Sequence, residues 1–413
     1  MPMTANLRPI ASLLLSVALL LAGNGLQFTL LPLRGHAEDF GTPALGVIAS
    51  AYYIGFVSGC LLGPYAILRA GHIRAFAAMV AVAAATTLAY ALVPDPVAWF
   101  VLRLITGFAL AGFFLVIESW LNDRATNDNR GRVMSAYVVT NFAAIVVGQL
   151  LVTLYPVQEA GTFMLSAILC SLAIVPVAMS RSAQPAPITI VRFQPARLYK
   201  AAPVALVASF MIGVANGSFW GLAPLSAAGS GLNDNEVAVF MSIAVAAGAL
   251  AQWPVGRLSD RIDRRVVLFV LLVGAAATGI ALWLLAATGP LLTAFGFLFG
   301  ALTLPTYAVA AAHAYDKTPS SDMVATAATI LLVNGLGAAL GPLFATAVMT
   351  PEGPRRLFLF TAAVQGALAA YVLYRTRVQA PPHPVEKTGF DLAATAPVGA
   401  VVVTEAAEPQ SGA

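Results

Sequence analysis

The feature that most constrains this chain is a succession of long stretches without charge. They cover residues 9–33, 40–68, 75–94, 96–121 (interrupted by Arg103 and Glu118), 133–158, 160–180, 201–233, 237–256, 266–315, 323–351 and 357–374. A helix needs ~20 apolar residues to cross a bilayer, and helices satisfy their own backbone groups there. The run 266–315 is too long for one helix, and Thr288-Gly289-Pro290 divides it. Twelve spans result, six on each side of a polar break at 181–200. The expected fold is an all-α membrane protein with halves at 1–180 and 201–376. A proline-rich loop joins them at 181–200, and a disordered tail is expected over 377–413.

Composition excludes the alternatives. Hydrophobic residues make up 59% of the 413 and charged residues 10%, where a soluble domain carries about 25% charged. Cys60 and Cys170 both sit in apolar runs, so neither a disulfide framework nor a cysteine metal site is expected. Gly-rich nucleotide loops, metal-ligand clusters and nucleophile triads are missing from the sequence. No catalytic residue, cofactor or nucleic-acid partner is therefore expected, and the chain does not read as an enzyme. Residues 1–23 resemble a signal peptide, but the apolar run continues to Leu33, so the segment is expected to be retained.

Lys and Arg set the expected orientation. With the N-terminus inside, 18 of the 22 fall on the cytoplasmic side, including Arg8, Arg69, Arg74, Arg181, Arg192, Arg197, Lys200, Arg257, Arg261, Arg264, Arg265 and Lys387. Arg34, Arg355 and Arg356 fall outside and Arg103 lies within a span. Both termini are expected in the cytoplasm of a bacterium, with the chain in its inner membrane.

The halves repeat one another. Residues 24–33 read NGLQFTLLPL and residues 216–225 read NGSFWGLAPL, with five identities at an offset of 192. An offset of 193 places Asn141 on Asn334 and Gly148 on Gly341. Parallel six-helix repeats face each other across an axis along the membrane normal in one class of transporters, with the cargo site near the midplane between them.

The segment from Gly256 to Arg265, GRLSDRIDRR, resembles the loop signature of the major facilitator superfamily, with Asp263 at the usual glycine. A degenerate first copy survives as Arg69-Ala70-Gly71-His72-Ile73-Arg74, without its acid, and Arg103 with Gly107 resembles a second signature of the family. The strings at Gly71–Phe76, Glu118–Asn122, Gln252–Pro254 and Ala312–Asp316 are similar to the YcaD-like branch of bacterial facilitators. The resemblance implies a secondary transporter working by alternating access, with spans one, four, seven and ten lining the cavity. Proton coupling, and a monomer carrying a small solute, are expected. A facilitated-diffusion carrier, an efflux antiporter for drugs or metabolites and a transporter-like receptor or assembly factor stay open. Gly148-Gln149 in span five is not the Gly-Pro pair of drug exporters.

Candidate residues follow. Arg103 is a charge within hydrocarbon, where insertion costs about 2.5–3.5 kcal/mol. It faces a cavity or snorkels to the outer interface. Its repeat counterpart is Phe295, so the fold does not require the charge, and a cavity role points to an anionic or electronegative cargo. Glu118 reads either as a gate carboxylate or proton site, or as an interfacial acid paired with the loop of Arg69 and Arg74, with Trp120 as interfacial anchor. Asp260 and Asp316 are expected to serve the loop of Arg261 and Arg264. Asn24, Gln27, Asn216, Trp220 and Tyr307 are cavity candidates. For Asn24 and Asn216 helix–helix hydrogen bonding is the competing reading. Asn141 and Asn334 read as close-packing positions. His313, three residues before Asp316, reads as a proton relay or a structural histidine.

Overall fold

In a computed structural model the chain is described at residues 10–126, 129–180, 185, 193–285, 290–350 and 353–378. Arg8, Arg181, Arg192, Lys387, the break at Thr288-Gly289 and the tail from residue 379 lie outside the described residues. Among the described residues, twelve helices are long and apolar enough to span a membrane: α1 (Ala11–Ala37), α2 (Thr42–Ala70), α3 (His72–Leu92), α4 (Pro96–Arg124), α5 (Arg130–Leu154, its last turn 3-10), α6 (Gly161–Ala178), α7 (Pro203–Ala228), α8 (Asp234–Arg261), α9 (Arg264–Leu284), α10 (Leu291–Asp316), α11 (Met323–Val348) and α12 (Arg356–Val378). A short helix, Pro195–Ala201, precedes α7. Its Arg197 pairs with Asp322, and the Gln194 amide donates to Thr329 Oγ1 at 3.0 Å, so this stretch docks on the second half.

Local chemistry sets the helix ends. Asp95 accepts from the Ala98 amide at 2.8 Å, with Pro96 following at the first helical position of α4. Asn233 and Glu236 form a reciprocal capping box at the start of α8. Asp263 accepts from the Arg265 amide at 2.9 Å and from the Arg265 guanidinium at 2.7 Å. Burial pushes the Asp263 carboxyl up, but these bonds outweigh it and hold it below the usual carboxylate range. This acid, at a position where the family signature has glycine, is thus explained as a helix cap. In α10 the helix is interrupted at Leu304-Pro305 and resumes at Thr306, as a proline without a backbone donor dictates.

Within each half, small residues let helices cross backbone to backbone. A Cβ at Gly25 on α1 would stand 2.7 Å from the Ile145 carbonyl of α5, and one at Gly148 would collide with the Ala22 carbonyl. The same crossing recurs between α7 and α11, where Gly217 abuts Ala338 and Gly341 abuts Val214. Gly25/Gly217 and Gly148/Gly341 are the pairs the sequence repeat superposes, so the repeat is a repeat of helix contacts.

The halves meet unequally at their two ends. At the end away from the termini, one buried cluster joins them, running through Leu30, Leu33, Leu45 and Ile48 of the first half and Leu222, Leu225, Phe240 and Met349 of the second. There a Cβ at Gly221 would come within 2.6 Å of the Ala49 side chain, and Ser242 Oγ donates to the Val146 carbonyl at 3.4 Å. Toward the terminus-bearing end the cores separate: the first half's cluster takes in only Ala328 and Leu332 of α11, and two further clusters belong to the second half alone.

Candidate functional site

Between the halves lies a cavity of about 1200 Å³, its open side included. Helices α1, α2, α4 and α5 contribute to one wall, α7, α8, α10 and α11 to the other. It starts at the middle of α1 and α7 and continues toward the terminus-bearing end past Phe114 and Gln252.

Its roof is aromatic. Phe28 and Trp220 meet with ring centroids 5.5 Å apart, and Phe28 packs edge-on against Tyr52 at 5.2 Å. Residue 28 plus the offset of 192 is residue 220. The two rings are therefore equivalent positions of the two halves touching across the central axis, and this contact closes the cavity. The pairing follows the aligned strings NGLQF and NGSFW, in which Phe28 falls on Trp220.

Asn24, Asn216, Trp220 and Tyr307 line the cavity. Asn24 is 3% exposed; its Oδ1 and that of Asn216 have no hydrogen-bond partner in the protein. The helix–helix bonding expected as their alternative is made instead by Asn334, whose Nδ2 donates to the Ser209 carbonyl of α7 at 2.9 Å.

Gln27 is a correction. Its Nε2 donates to Thr87 Oγ1 at 2.9 Å and to Ser166 Oγ at 3.2 Å, inside the first half and away from the cavity. One residue along a helix turns the side chain by about 100°, so with Phe28 facing the axis Gln27 faces α3 and α6. Its repeat counterpart Phe219 is buried likewise, against Phe299 at 5.4 Å.

Arg103 lies above the roof. It is 4% exposed, and its guanidinium carbon stands 4.7 Å from the Tyr52 ring centre and 5.3 Å from that of Phe28. A desolvated cation over aromatic faces gains about 2 kcal/mol. Arg103 shares a narrow pocket with Ala49, Trp220 and Gly221 on the closed side. It neither snorkels nor touches the central cavity, because the Phe28 and Tyr52 rings lie between.

Glu118 does not serve the loop of Arg69 and Arg74. Both arginines are exposed, whereas Glu118 is 0% exposed and accepts from the Tyr137 hydroxyl of α5 at 2.7 Å. Trp120 is not an interfacial anchor either: it is 1% exposed and packs on His72 and Phe76. An α4 face turned toward α3 and α5 places both residues in the core.

Arg264 bridges Asp260 at 3.3 Å and Asp316 at 3.0 Å, tying α8, α9 and α10 together. All three residues belong to the second half, and Arg261 is exposed. These ion pairs therefore staple three helices of the second half together while the terminus-bearing end is open. His313 is buried and its Nδ1 has no hydrogen-bond partner. Among the described residues no hydrogen bond joins it to Asp316, so the relay spacing is not a relay contact.

Beyond the sequence candidates, Phe28, Tyr52, Tyr53 and Gln252 line the cavity and Tyr137 holds Glu118. Among the described residues no group of three or more His, Cys, Asp or Glu is placed to hold a metal ion.

Twelve helices in two repeats around a central cavity define a transport protein fold. Both repeats match the Major Facilitator Superfamily, at residues 13–205 and 205–406, and the chain belongs to that family. The MFS-type transporter YcaD of Escherichia fergusonii is 30% identical over 374 residues, covering 88% of this chain and 94% of its own. A form of the nucleoside transporter NupG superposes with a TM-score of 0.76 at 15% identity over 88% of this chain and 99% of its own. A bacterial homologue of the lysosomal transporter Spinster, inward-facing and occupied, gives 0.73 at 14% identity over 92% and 97%.

Proposed function

We propose that this protein is a secondary active transporter of the bacterial inner membrane that carries a small solute as a monomer by alternating access. The observation that carries the proposal is a cavity between two repeat-related halves, roofed by their equivalent aromatic residues and open on the other side. With the arginine-rich, terminus-bearing end in the cytoplasm, the form described is inward-facing. Opening to the other side requires Phe28 to part from Trp220 and Ala49 from Gly221, while the separated ends close. A carrier exposes its site to one side at a time, which a pore does not.

Glu118 is the proposed coupling residue. A charged carboxylate with no exposure is costly unless compensated, and buried carboxylates in membrane helices mark proton paths. Protonation when the cavity faces one side and release when it faces the other would couple cargo to the proton gradient. Its burial and its bond to the Tyr137 hydroxyl of α5, the helix that contributes Phe142 and Ile145 to the cavity wall, support this reading.

The test uses cysteines at Gly46 of α2 and Thr346 of α11, which meet across the halves at the closed end, in proteoliposomes exposed to a metabolite mixture. Solutes trapped in the lumen are identified by mass spectrometry. Saturable accumulation of at least one solute, blocked when the pair is oxidised and restored by reductant, is expected. Equal accumulation in oxidised and reduced vesicles would contradict alternating access.

A further inference from the structure

The central cavity restricts what its cargo can be. Its polar lining is made of carboxamides and phenols, and none of its lining residues is charged. The guanidinium of Arg103, above the roof, is screened from the cavity by the Phe28 and Tyr52 rings on which it lies. Glu118 stands behind the wall, held by Tyr137. An anion would enter without a cationic partner, and a cation would approach a roof already bearing a guanidinium. Both would lose hydration without replacement, so the electrostatics select an uncharged solute.

The hydrogen-bond inventory goes further. Asn24 Oδ1, Asn216 Oδ1 and Gln252 Oε1 are buried acceptors without a protein partner. Asn24 and Gln252 are 3% and 4% exposed. Buried polar atoms are nearly always bonded, and an unmet acceptor at a cavity wall marks where a donor belongs. Asn24 and Asn216 are repeat equivalents on α1 and α7, one from each half. A solute reaching both presents donors on two edges. The aromatic side chains around them, including Trp220, Tyr53 and Phe142, offer flat faces to a planar solute.

Resting on the transporter reading, we infer that the cargo is an uncharged, planar nitrogen heterocycle with N–H or O–H donors on two edges, bridged by Asn24 and Asn216 beneath the Phe28–Trp220 roof. Bridging residues from both halves also gives the cargo a direct means of drawing the halves together.

The experiment is a thermal-shift titration of the purified full-length protein at pH 7 with four flat bicyclic probes. Hypoxanthine is neutral with ring N–H donors on two edges, caffeine is neutral without donors, indole-3-acetate is an anion and tryptamine a cation. Hypoxanthine is expected to stabilise the protein with an affinity at least tenfold above the other three. Asn24→Leu and Asn216→Leu should each lower that affinity about tenfold, while Gln27→Leu, outside the cavity, leaves it within twofold. Equal or tighter binding of indole-3-acetate, tryptamine or caffeine overturns the inference. So does stabilisation by none of the four, or hypoxanthine affinity retained within twofold in both asparagine variants. Failure of the transporter reading is seen separately, as transport unaffected by the Gly46/Thr346 lock, because binding in the titration does not require the halves to move.

Discussion

Removing Arg264 should destabilise the second half, and the structure sets how the loss divides between its two acids. The Asp316 side chain is 0% exposed and lies 3.0 Å from Arg264, whereas the Asp260 side chain is 39% exposed at 3.3 Å. Removing one member of a buried ion pair costs about 3–5 kcal/mol, because the charge left behind keeps its desolvation penalty. A largely solvated pair contributes about 0–1 kcal/mol. Arg264→Leu should therefore cost about 3–5 kcal/mol and Asp260→Asn under about 1 kcal/mol. The double variant Arg264→Leu/Asp316→Leu should recover most of the loss, since both charges leave together. At roughly 2 °C per kcal/mol for a large domain, these become drops of about 6–10 °C and 2 °C in the melting temperature of purified protein, read by intrinsic fluorescence. Equal losses for Asp260→Asn and Arg264→Leu, or a double variant no better than Arg264→Leu, would refute the division into one buried and one exposed arm.

Four further outcomes follow from the geometry and the charge distribution. Gln27→Leu should lower the melting temperature by a few degrees with cargo affinity kept, while Trp220→Ala should leave folding intact and reduce transport more than tenfold; thermal melts and vesicle uptake separate the two. Glu118→Gln should abolish accumulation driven by a pH gradient yet preserve exchange of labelled for unlabelled cargo, and loss of exchange as well would remove Glu118 from coupling. Reporter fusions after Arg74, after Lys200 and at the C-terminus should report cytoplasm, and fusions near Asp95 and Asn233 periplasm; the reverse at Lys200 would invert the membrane orientation.

Much of the architecture was legible because hydrocarbon imposes a length and a composition on each span, and charges between spans mark the ends. The repeat was legible because close helix crossings demand small residues at fixed places, as at Gly25 and Gly217. Side-chain direction was not. Gln27 and Phe28 are neighbours, and sequence position alone does not say which one faces the axis. Alignment across the repeat pairs Phe28 with Trp220 and Gln27 with Phe219, and packing decides which pair faces the axis. Arg103 was rightly singled out as unusual, but that it sits behind a screen of aromatic rings depends on Tyr52, which comes from a distant helix. For Glu118 the sequence left two readings open, a gate or proton site and an interfacial acid paired with a loop, because its partner is far away in the chain. Its contact with Tyr137 arises from packing between α4 and α5, and no local pattern announces it. For the loop acids the signature names residues but not the helices they join, and only the packed structure shows Arg264 tying α8, α9 and α10 together.

The central claim is that the two halves exchange which end is closed. Spin labels on exposed positions of opposite halves test it most directly: Glu159→Cys with Asn235→Cys at the closed end, and Arg69→Cys with Arg261→Cys at the terminus-bearing end. Pulsed-electron-resonance distances are recorded in nanodiscs with Cys60 and Cys170 replaced by alanine, at pH 5 and pH 8. Alternating access predicts two populations at each end, with the fraction of long closed-end distances rising in step with the fraction of short terminus-end distances. A single fixed distance at both ends, or ends that widen together, would contradict it.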